Sequence, residues 1–579
     1  MLINYPTLTE KKRNFGLLAI FILSLTVKVA IFFLATDPVI FNKYPYFAEQ
    51  ITKGFDIGER ILDLSPAYLY ITILFFKICG PNWEALALLQ ILIGSLNCIV
   101  IYFIGSRIFG AVTGLLAAAM LMLYGNMTLV ELTLEPETFV LFFNSLTLLA
   151  LIEAGNESAP AYRSWKWFLS GALIGLAIIT KPNALLIIPG VSLWILLCVK
   201  TWENRFKAIV FLLLGAFLLI APVTIRNTIQ FHDFVLVTAD SGKVFFHGNG
   251  PGATGIERAD LTHQGFVEEG HTEPDYAHVL FRETARAISK APLKPSECAY
   301  FWFLYTIKHI QADPRSALFL EWKKFCLFWN NYEVHDMDST YKNYTRIREW
   351  PLLPFGIISA LSILGMGISL KRFRPAFLLY WMVLIYLFSV LVFFTASRYR
   401  IPAVPFLCLF AAYFLVYLFH IGKQKEVKKA ACWLMSIPLL LVWTYLPLHG
   451  EIERFDRWQQ ASRIHYSLGG KALFANGQYQ KAVPELEKVV SIDPNFAPAY
   501  NYLGKAYAIL GELDKAQNCF SKVIALAPTI DEGYLNMGLL LELKGESSKA
   551  ISYLEKALSL NPNNTKTKTH IANLRALAR

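Results

Sequence analysis

Charge is scarce in this sequence: Asp, Glu, Lys and Arg make up 17% of its 579 residues, against about 25% in soluble globular chains. With 55% hydrophobic residues, that deficit excludes an ordinary soluble domain and points to a membrane protein. Paired cysteines are also missing. The eight cysteines include no CxxC or CxxH, and Cys98, Cys198, Cys408 and Cys432 lie within apolar runs, where they read as small core hydrophobes. His232, His247, His263, His271, His278, His309 and His335 show no HxxxH or HExxH spacing, so no zinc signature is present. A cleavable signal peptide is not expected either: the first apolar run is long, lacks a small-residue cleavage site and is followed by further spans. The net charge of +11 belongs in the short loops that orient a multi-span chain, not on nucleic acid.

What the sequence does have is apolar runs able to cross about 30 Å of hydrocarbon, which takes ~20 residues. Eleven spans are predicted: 15–35, 84–104, 111–127, 138–153, 167–180, 184–199, 208–224, 352–370, 376–394, 403–420 and 430–446. Residues 66–79 are too short and read as an interfacial or re-entrant helix. Lys11, Lys12 and Arg13 place residues 1–14 in the cytoplasm. Arg107, Arg163 with Lys166, Lys200 with Arg205 and Lys207, Lys371 and Arg372 with Arg374, and the basic stretch 423–429 then all fall inside as well, as the positive-inside rule asks. Reading 167–199 as one span would flip every later segment and destroy this agreement. Three regions lie outside: a first loop, 36–65, the segment 225–351, and everything after Pro447. The segment 225–351, between the transmembrane portions 15–224 and 352–447, carries mixed strand and helix signals and the turn-rich His247-Gly-Asn-Gly-Pro-Gly252, and is predicted to be mixed α/β.

From about Ala461 the same residues return every 34 positions: Tyr466, Tyr500 and Tyr534; Gly470, Gly504 and Gly538; Gly477, Gly511 and Gly545; Ala482, Ala516 and Ala550; Pro494, Pro528 and Pro562. This resembles the tetratricopeptide pattern, in which small residues stand where paired helices touch and proline closes each unit. Residues 461–579 are therefore predicted to be an α-solenoid of three repeats plus a capping helix, with a groove for a protein partner or acceptor. The fold class expected for the chain is all-α and polytopic in the membrane, with a mixed α/β outer segment and an α-solenoid tail.

Acids and bases converge on the outer face. The first loop holds Asp37, Tyr44, Tyr46, Glu49, Asp56, Glu59 and Asp63; Glu131 and Glu135 follow the third span, one helical turn apart if the helix continues. Lys181 sits before Pro182 between two short spans, Arg226-Asn227 ends the seventh, and Arg398-Tyr399-Arg400 lies between the ninth and tenth. Cations at headgroup level suit a phosphate, and neighbouring acids suit proton abstraction. Together they fit transfer of a group from a lipid phosphate, whose departing charge preorganised Lys and Arg stabilise. The plainer reading is that Arg226, Arg398 and Arg400 snorkel at span ends and that the acids are solvated surface.

The stretches Tyr44-x-x-Phe-Ala48 with Gly54, Ser65-Pro66-Ala-Tyr68 with Gly80, 131–137, 175–183, Arg226-Asn227, 248–255 and Arg398-Tyr399-Arg400-x-Pro402 occur in an order and topology that resemble a membrane glycosyltransferase of the GT-C class. The likeness covers residues 15–405 and is to family 39, the protein O-mannosyltransferases and the lipid A aminoarabinose transferase. It implies a polyprenyl-phosphate-linked sugar as donor, an acceptor protein or envelope glycan or lipid, and inverting displacement by an acceptor hydroxyl or amine. It implies no cofactor or obligatory metal. Asp37 is the nearest match for the family's base, with Glu49 or Asp63 as substitutes. Lys181, Arg226 and Arg398 match its phosphate-side cations. A ligase or oligosaccharyltransferase using a lipid diphosphate is the alternative, with a divalent metal in some members. A non-catalytic scaffold displaying the repeats is the alternative of another class. A transporter is disfavoured by the lack of an inverted repeat and the paucity of charge within the spans.

Overall fold

The structure, a computed structural model, describes residues 9–35, 43–155, 164–255, 276–334, 352–446, 465–466, 469–528, 530–561 and 565–577. Asp37, His263, His271, His335 and the start of the first repeat before His465 lie outside them. The chain forms two compact units, one of residues 1–260, 268–336 and 343–447, the other centred on 448–579.

The first unit begins with α1 (Glu10–Ala35), α2 (Lys43–Thr52), α3 (Pro66–Cys79), α4 (Trp83–Ile108), α5 (Ala111–Leu123), α6 (Gly125–Leu132), α7 (Glu137–Ala154), α8 (Ser164–Thr180), α9 (Ile187–Cys198) and α10 (Trp202–Phe231). It continues through α11 (Ser241–Asn249), α12 (Tyr276–Ser289), α13 (Pro295–Ala312) and α14 (Pro314–Trp329) to the helices Phe355–Ser369, Phe373–Val392, Val404–Lys423 and Val427–Tyr445. Among the described residues seven helical runs are long and apolar enough to cross a membrane, and an eighth crossing arises if α5 and α6, bent by 58°, form one span. The run Phe355–Val392, at 38 residues, is about twice the length a span needs, and it turns at Leu370–Arg372 into two legs. Helices α8 and α9 are short and separate at Lys181, where Pro182 opens a single 3-10 turn. This is a multi-pass membrane protein.

Small residues bring these helices into backbone contact, the usual packing in lipid. A Cβ on Gly171 of α8 would lie 2.0 Å from the Leu212 carbonyl oxygen of α10, and one on Gly215 of α10 2.1 Å from that of Phe168.

The outer segment departs from expectation. Among the described residues every regular element is helical, and the mixed α/β reading is corrected to α11–α14. Among the described residues the extended stretch around Val235 and Val237 pairs with no strand. The buried Asn227 side chain donates to both carbonyls, at 2.8 and 3.2 Å, and so supplies the partner that a sheet would have given.

The second unit is the repeat solenoid. Its helices pair as Ala472–Ala475 with Tyr479–Ile492, Ala497–Ile509 with Leu513–Leu526, and Asp531–Leu543 with Ser547–Leu560, followed by Thr565–Leu577. The recurring glycines and alanines have mechanical reasons. Gly477, Gly511 and Gly545 take φ of 73°, 84° and 77° in the turns, a region costly for residues with a Cβ. A Cβ on Gly504 would meet Phe520 at 2.6 Å, and one on Gly538 would meet Leu554 at 2.7 Å. Ala482, Ala516 and Ala550 are fully buried.

Candidate active site

The loop joining α6 to α7 sets the geometry. Helix α6 stops at Leu132, and buried Leu134 takes φ of 54°, a left-handed conformation that costs a non-glycine residue roughly 1–2 kcal/mol. The chain is thereby redirected so that Glu135 and Glu137 flank Pro136 at the mouth of α7. Both carboxylates are buried and each meets a cation. Lys181 Nζ donates to Glu137 Oε1 at 2.8 Å, and Arg398 Nη1 lies 3.5 Å from Glu135 Oε1. The two cations share one aromatic ring: Lys181 Nζ is 4.3 Å and the Arg398 guanidinium carbon 5.1 Å from the Tyr399 centroid. The break between α8 and α9 at Lys181, read in the sequence as a proline interruption, is what delivers this amine.

Just after the Pro182 turn the chain enters a groove of about 450 Å³ whose wall is almost wholly apolar, lined by Leu186, Pro189, Trp381, Leu384, Phe388 and Leu391 among others. Asn183 donates to Ser389 Oγ at 3.1 Å, so the groove's helices are joined by a polar contact two residues from Lys181. Leu384 and Phe388 are about half exposed, and the groove therefore opens on the surface that faces lipid.

The acids of the first outer loop continue the cluster. Tyr44 is buried; its hydroxyl donates to Ser65 Oγ at 3.0 Å and accepts from Ser65 N at 3.1 Å. Burial pushes this hydroxyl up to about 12, against nearby Lys43 and with Glu135 adding to the effect; Tyr44 is therefore a neutral donor at physiological pH. Asp63 is buried and ion-paired with Arg282 of α12, and Glu59 meets Arg282 at 3.5 Å and Arg286 at 3.2 Å. Lys243 of α11 pairs with Asp240 at 2.9 Å, and burial holds its ammonium below the usual lysine range despite Asp240, with Lys43 lowering and Asp63 raising it. Glu49 sits further out, bonded to Lys53 at 2.6 Å.

Not every expected residue joins this group. Glu131 does not share a face with Glu135, because α6 ends between them; it is fully buried and paired with Lys28 of α1. A buried charge pair thus lies among the spans, where little charge was expected. Arg400 is turned inward: its Nη1 donates to the carbonyls of Leu327, Phe328 and Asn330 at 3.1, 3.2 and 2.7 Å, its Nη2 to Glu333 at 2.6 Å, and it stacks 3.7 Å above Phe355. Glu333 in turn accepts from Tyr124 and Asn126. Arg400 is a clamp between α14 and the α5–α6 bend, not a substrate contact. Arg226 lies within α10, which runs on to Phe231; it donates to Tyr70 of α3 and, at 2.5 and 3.1 Å, to Asn227, whose amide secures the following loop. Lys28, Glu137, Lys243 and Arg282 escaped the sequence reading. Glu137 closes the stretch 131–137, but an acid in the first turn of a helix is ordinary dipole chemistry and gives no signal. Among the described residues no group of three His, Cys, Asp or Glu is gathered for a metal.

Residues 63–225 match the family model described as dolichyl-phosphate-mannose-protein mannosyltransferase. Tetratricopeptide models match residues 470–511, 497–530 and 532–564. Over these residues the chain is similar to a membrane mannosyltransferase family and, after it, to tetratricopeptide repeats. Among solved structures, the oligosaccharyltransferase of Archaeoglobus fulgidus tethered with an acceptor peptide aligns at 11% identity and a TM-score of 0.43, over 77% of this chain and 57% of its own. ArnT of Cupriavidus metallidurans bound to undecaprenyl phosphate aligns at 13% and 0.32, over 69% of this chain and 78% of its own. The first tetratricopeptide domain of Spaghetti, bound to an HSP90 peptide, aligns at 23% and 0.20, over 21% and 98%. This chain thus spans little more than half the length of the archaeal enzyme. None of the curated proteins matches it in sequence.

Proposed function

We propose that the protein moves a sugar from a polyprenyl-phosphate carrier to an acceptor at the extracytoplasmic face of the cytoplasmic membrane. The observation that supports this reading most is the pairing of Lys181 and Arg398 over the Tyr399 ring, with an apolar groove beginning at Leu186 on the same chain segment as Lys181. An isoprenoid tail fits the groove, and its phosphate reaches the two cations. At 3.5 Å the Arg398–Glu135 contact is long, and a phosphate competes for the guanidinium through bidentate bonds. As the acceptor oxygen or nitrogen attacks the anomeric carbon, the bond to the phosphate oxygen breaks. The electron pair stays on the phosphate, and Lys181 and Arg398 stabilise it. The acceptor's proton passes to a carboxylate. Asp37 is the one the resemblance implies; of its two substitutes, Asp63 is engaged by Arg282 and Glu49 by Lys53. No cofactor is called for in this scheme.

The test is turnover of a radiolabelled polyprenyl-phosphate sugar by the purified protein. Arg398→Ala is expected to cost about 10²–10³-fold, the range for losing one preorganised donor, whereas Arg226→Ala, bonded to Tyr70 and Asn227 outside this group, changes turnover by less than about fivefold, or ~1 kcal/mol. Full activity in Arg398→Ala sinks the reading.

The repeats, placed outside by the charge rule, serve in this scheme to bind the acceptor or a partner protein. Removing residues 452–579 is expected to lower acceptor use while leaving donor turnover intact, and a phosphatase fused after Gln480 is expected to be active. Unchanged acceptor use, or an inactive fusion, contradicts that role.

A further inference from the structure

Gly248 and Asn249 stand in the turn-rich stretch after His247, outside the Lys181–Arg398 group, yet they meet the end of the helix that leads to it. The last carbonyls of any α-helix lack partners within the helix, and the span Phe373–Val392 ends against α11 and α14. Lys324 of α14 is fully buried and donates to the carbonyls of Leu391 and Phe393 at 2.9 and 3.3 Å. It also donates to Asn249 Oδ1 at 2.7 Å and to Glu321 at 2.8 Å. Asn249, the last residue of α11, donates from its amide to the carbonyls of Val392 and Phe393 at 2.8 and 3.4 Å. Three successive carbonyls are thus held by two side chains that also hold each other. Gly248 admits this approach: a Cβ there would lie 1.3 Å from the Phe393 carbonyl oxygen.

Stability alone is a poor reason for this clamp. Burying an ammonium is costly, and glycine caps or water serve the carbonyls at many helix ends. The chain beyond it supplies a better reason. Residues 394–396 form no regular element, so helix geometry no longer fixes them. Their flanks are pinned instead, Phe393 by Lys324 and Asn249, and Ser397 by its N–H, which donates to the Val334 carbonyl at 2.8 Å. Between the two, buried Phe394 lies edge-on to Tyr399, with ring centroids 4.9 Å apart and planes at 76°. The Tyr399 ring is the one that Lys181 and Arg398 share. An unbroken line of contacts therefore runs from Lys324 through Phe393 and Phe394 to the two cations.

We propose that Lys324 and Asn249 are positioning residues of the sugar transfer: they fix the end of the span and, through Phe394, set the Tyr399 ring beside which Lys181 and Arg398 meet the donor phosphate. The reaction rests on the transferase reading above; the setting of the ring does not. In this scheme neither residue touches substrate.

In the donor assay on the purified full-length protein, Lys324→Met is expected to lower kcat by about 10–10²-fold, the scale on which a small misplacement of a reacting-site group is felt. KM for the donor is expected to stay within about twofold, because the departing charge develops only in the transition state. In a Tyr399→Leu background the same substitution is expected to cost less than about twofold, since a residue that acts through another adds little once the other is gone. A reading free of activity comes from fluorotyrosine at position 399, followed by fluorine NMR of the protein in nanodiscs: its resonance is expected to shift or broaden in Lys324→Met. Asn249→Asp serves where Lys324→Met fails to fold, being isosteric and still paired with Lys324 but unable to donate to the carbonyls. A stably folded variant with an unmoved resonance overturns the proposal, and so does one with unchanged kcat. A kcat loss that multiplies in full with that of Tyr399→Leu overturns it too, because the effect then bypasses the ring. If the unsubstituted protein turns over no donor, the transferase reading falls, and the fluorine resonance still decides the setting of the ring.

Discussion

Lys181→Ala is expected to reduce sugar transfer by about 10²–10³-fold with the lipid-linked donor saturating, a loss of ~3–4 kcal/mol of transition-state stabilisation. The amine is fixed by its backbone position, in an extended residue between the end of α8 and the Pro182 turn, and it lies over the Tyr399 ring and against Glu137. Charge grows on the departing phosphate only as the sugar bond breaks, so the effect falls on kcat more than on KM. A competing account is purely structural. Glu137 is buried, its second oxygen has no hydrogen-bond partner, and losing Lys181 leaves that carboxylate without its cation, a change that itself destabilises. The double variant Lys181→Ala/Glu137→Gln separates the two, since it removes the stranded charge while still lacking the amine. Transfer that stays low in the double variant, at unchanged melting temperature, assigns Lys181 to the reaction. Transfer that returns to normal shows that only the carboxylate needed a neighbour. Single-turnover assays in detergent, with melting followed on the same preparations, read both quantities.

How much of this was legible depended on whether a feature is periodic. The repeats were readable because each position recurs for one mechanical reason: a positive φ at Gly511, a contact with Phe520 at Gly504, a fully buried methyl at Ala516. The long spans were readable from length and hydropathy, but of the eleven expected, seven described helical runs are long and apolar enough to cross, or eight with the bent pair. The break at Lys181 was readable because proline cannot continue a helix. What stayed hidden was pairing across the fold. Arg398 and Arg400 are two residues apart and look alike in the sequence, yet one reaches Glu135 while the other spends its guanidinium on carbonyls at the end of α14 and on Glu333. Spacing also misled at Glu131 and Glu135: an i, i+4 pair shares a face only while the helix lasts, and Leu134 ends that continuity. The mixed strand and helix signals of 225–351 misled as well, for among the described residues the extended chain at Val235 and Val237 has no strand beside it. The amide of Asn227, eight residues earlier, satisfied that chain instead.

Lys28→Met is expected to destabilise the membrane unit by about 3–5 kcal/mol, because it strands the buried Glu131 carboxylate, whereas Lys28→Met/Glu131→Leu is expected to be neutral or more stable. The pair has been fitted closely. A Cβ on Gly94 of α4 would lie 1.8 Å from Glu131 Oε1 and 2.8 Å from Lys28 Nζ, so glycine is required where α4 passes the pair. Nearby, Ser24 donates to Ser95 at 3.2 Å, and the contact between α1, α4 and α6 is thus polar in a region otherwise surrounded by hydrocarbon side chains. Two well-packed apolar residues would hold the same helices at no desolvation cost, which makes stability a poor reason for the pair. Its position suggests another. Glu131 lies three residues before strained Leu134, and the loop that follows presents Glu135 to Arg398 and Glu137 to Lys181; an ion pair with fixed partners anchors α6 in one rotational setting, which interchangeable apolar contacts do not. Melting of the purified variants in detergent tests the stability claim, and a single variant as stable as the unsubstituted protein contradicts it. Donor turnover in the double variant tests the positioning claim. A stable protein whose kcat has fallen while its KM is unchanged means the pair sets the carboxylates above it; a stable protein with unaltered turnover means the pair only fastens α1 to α6.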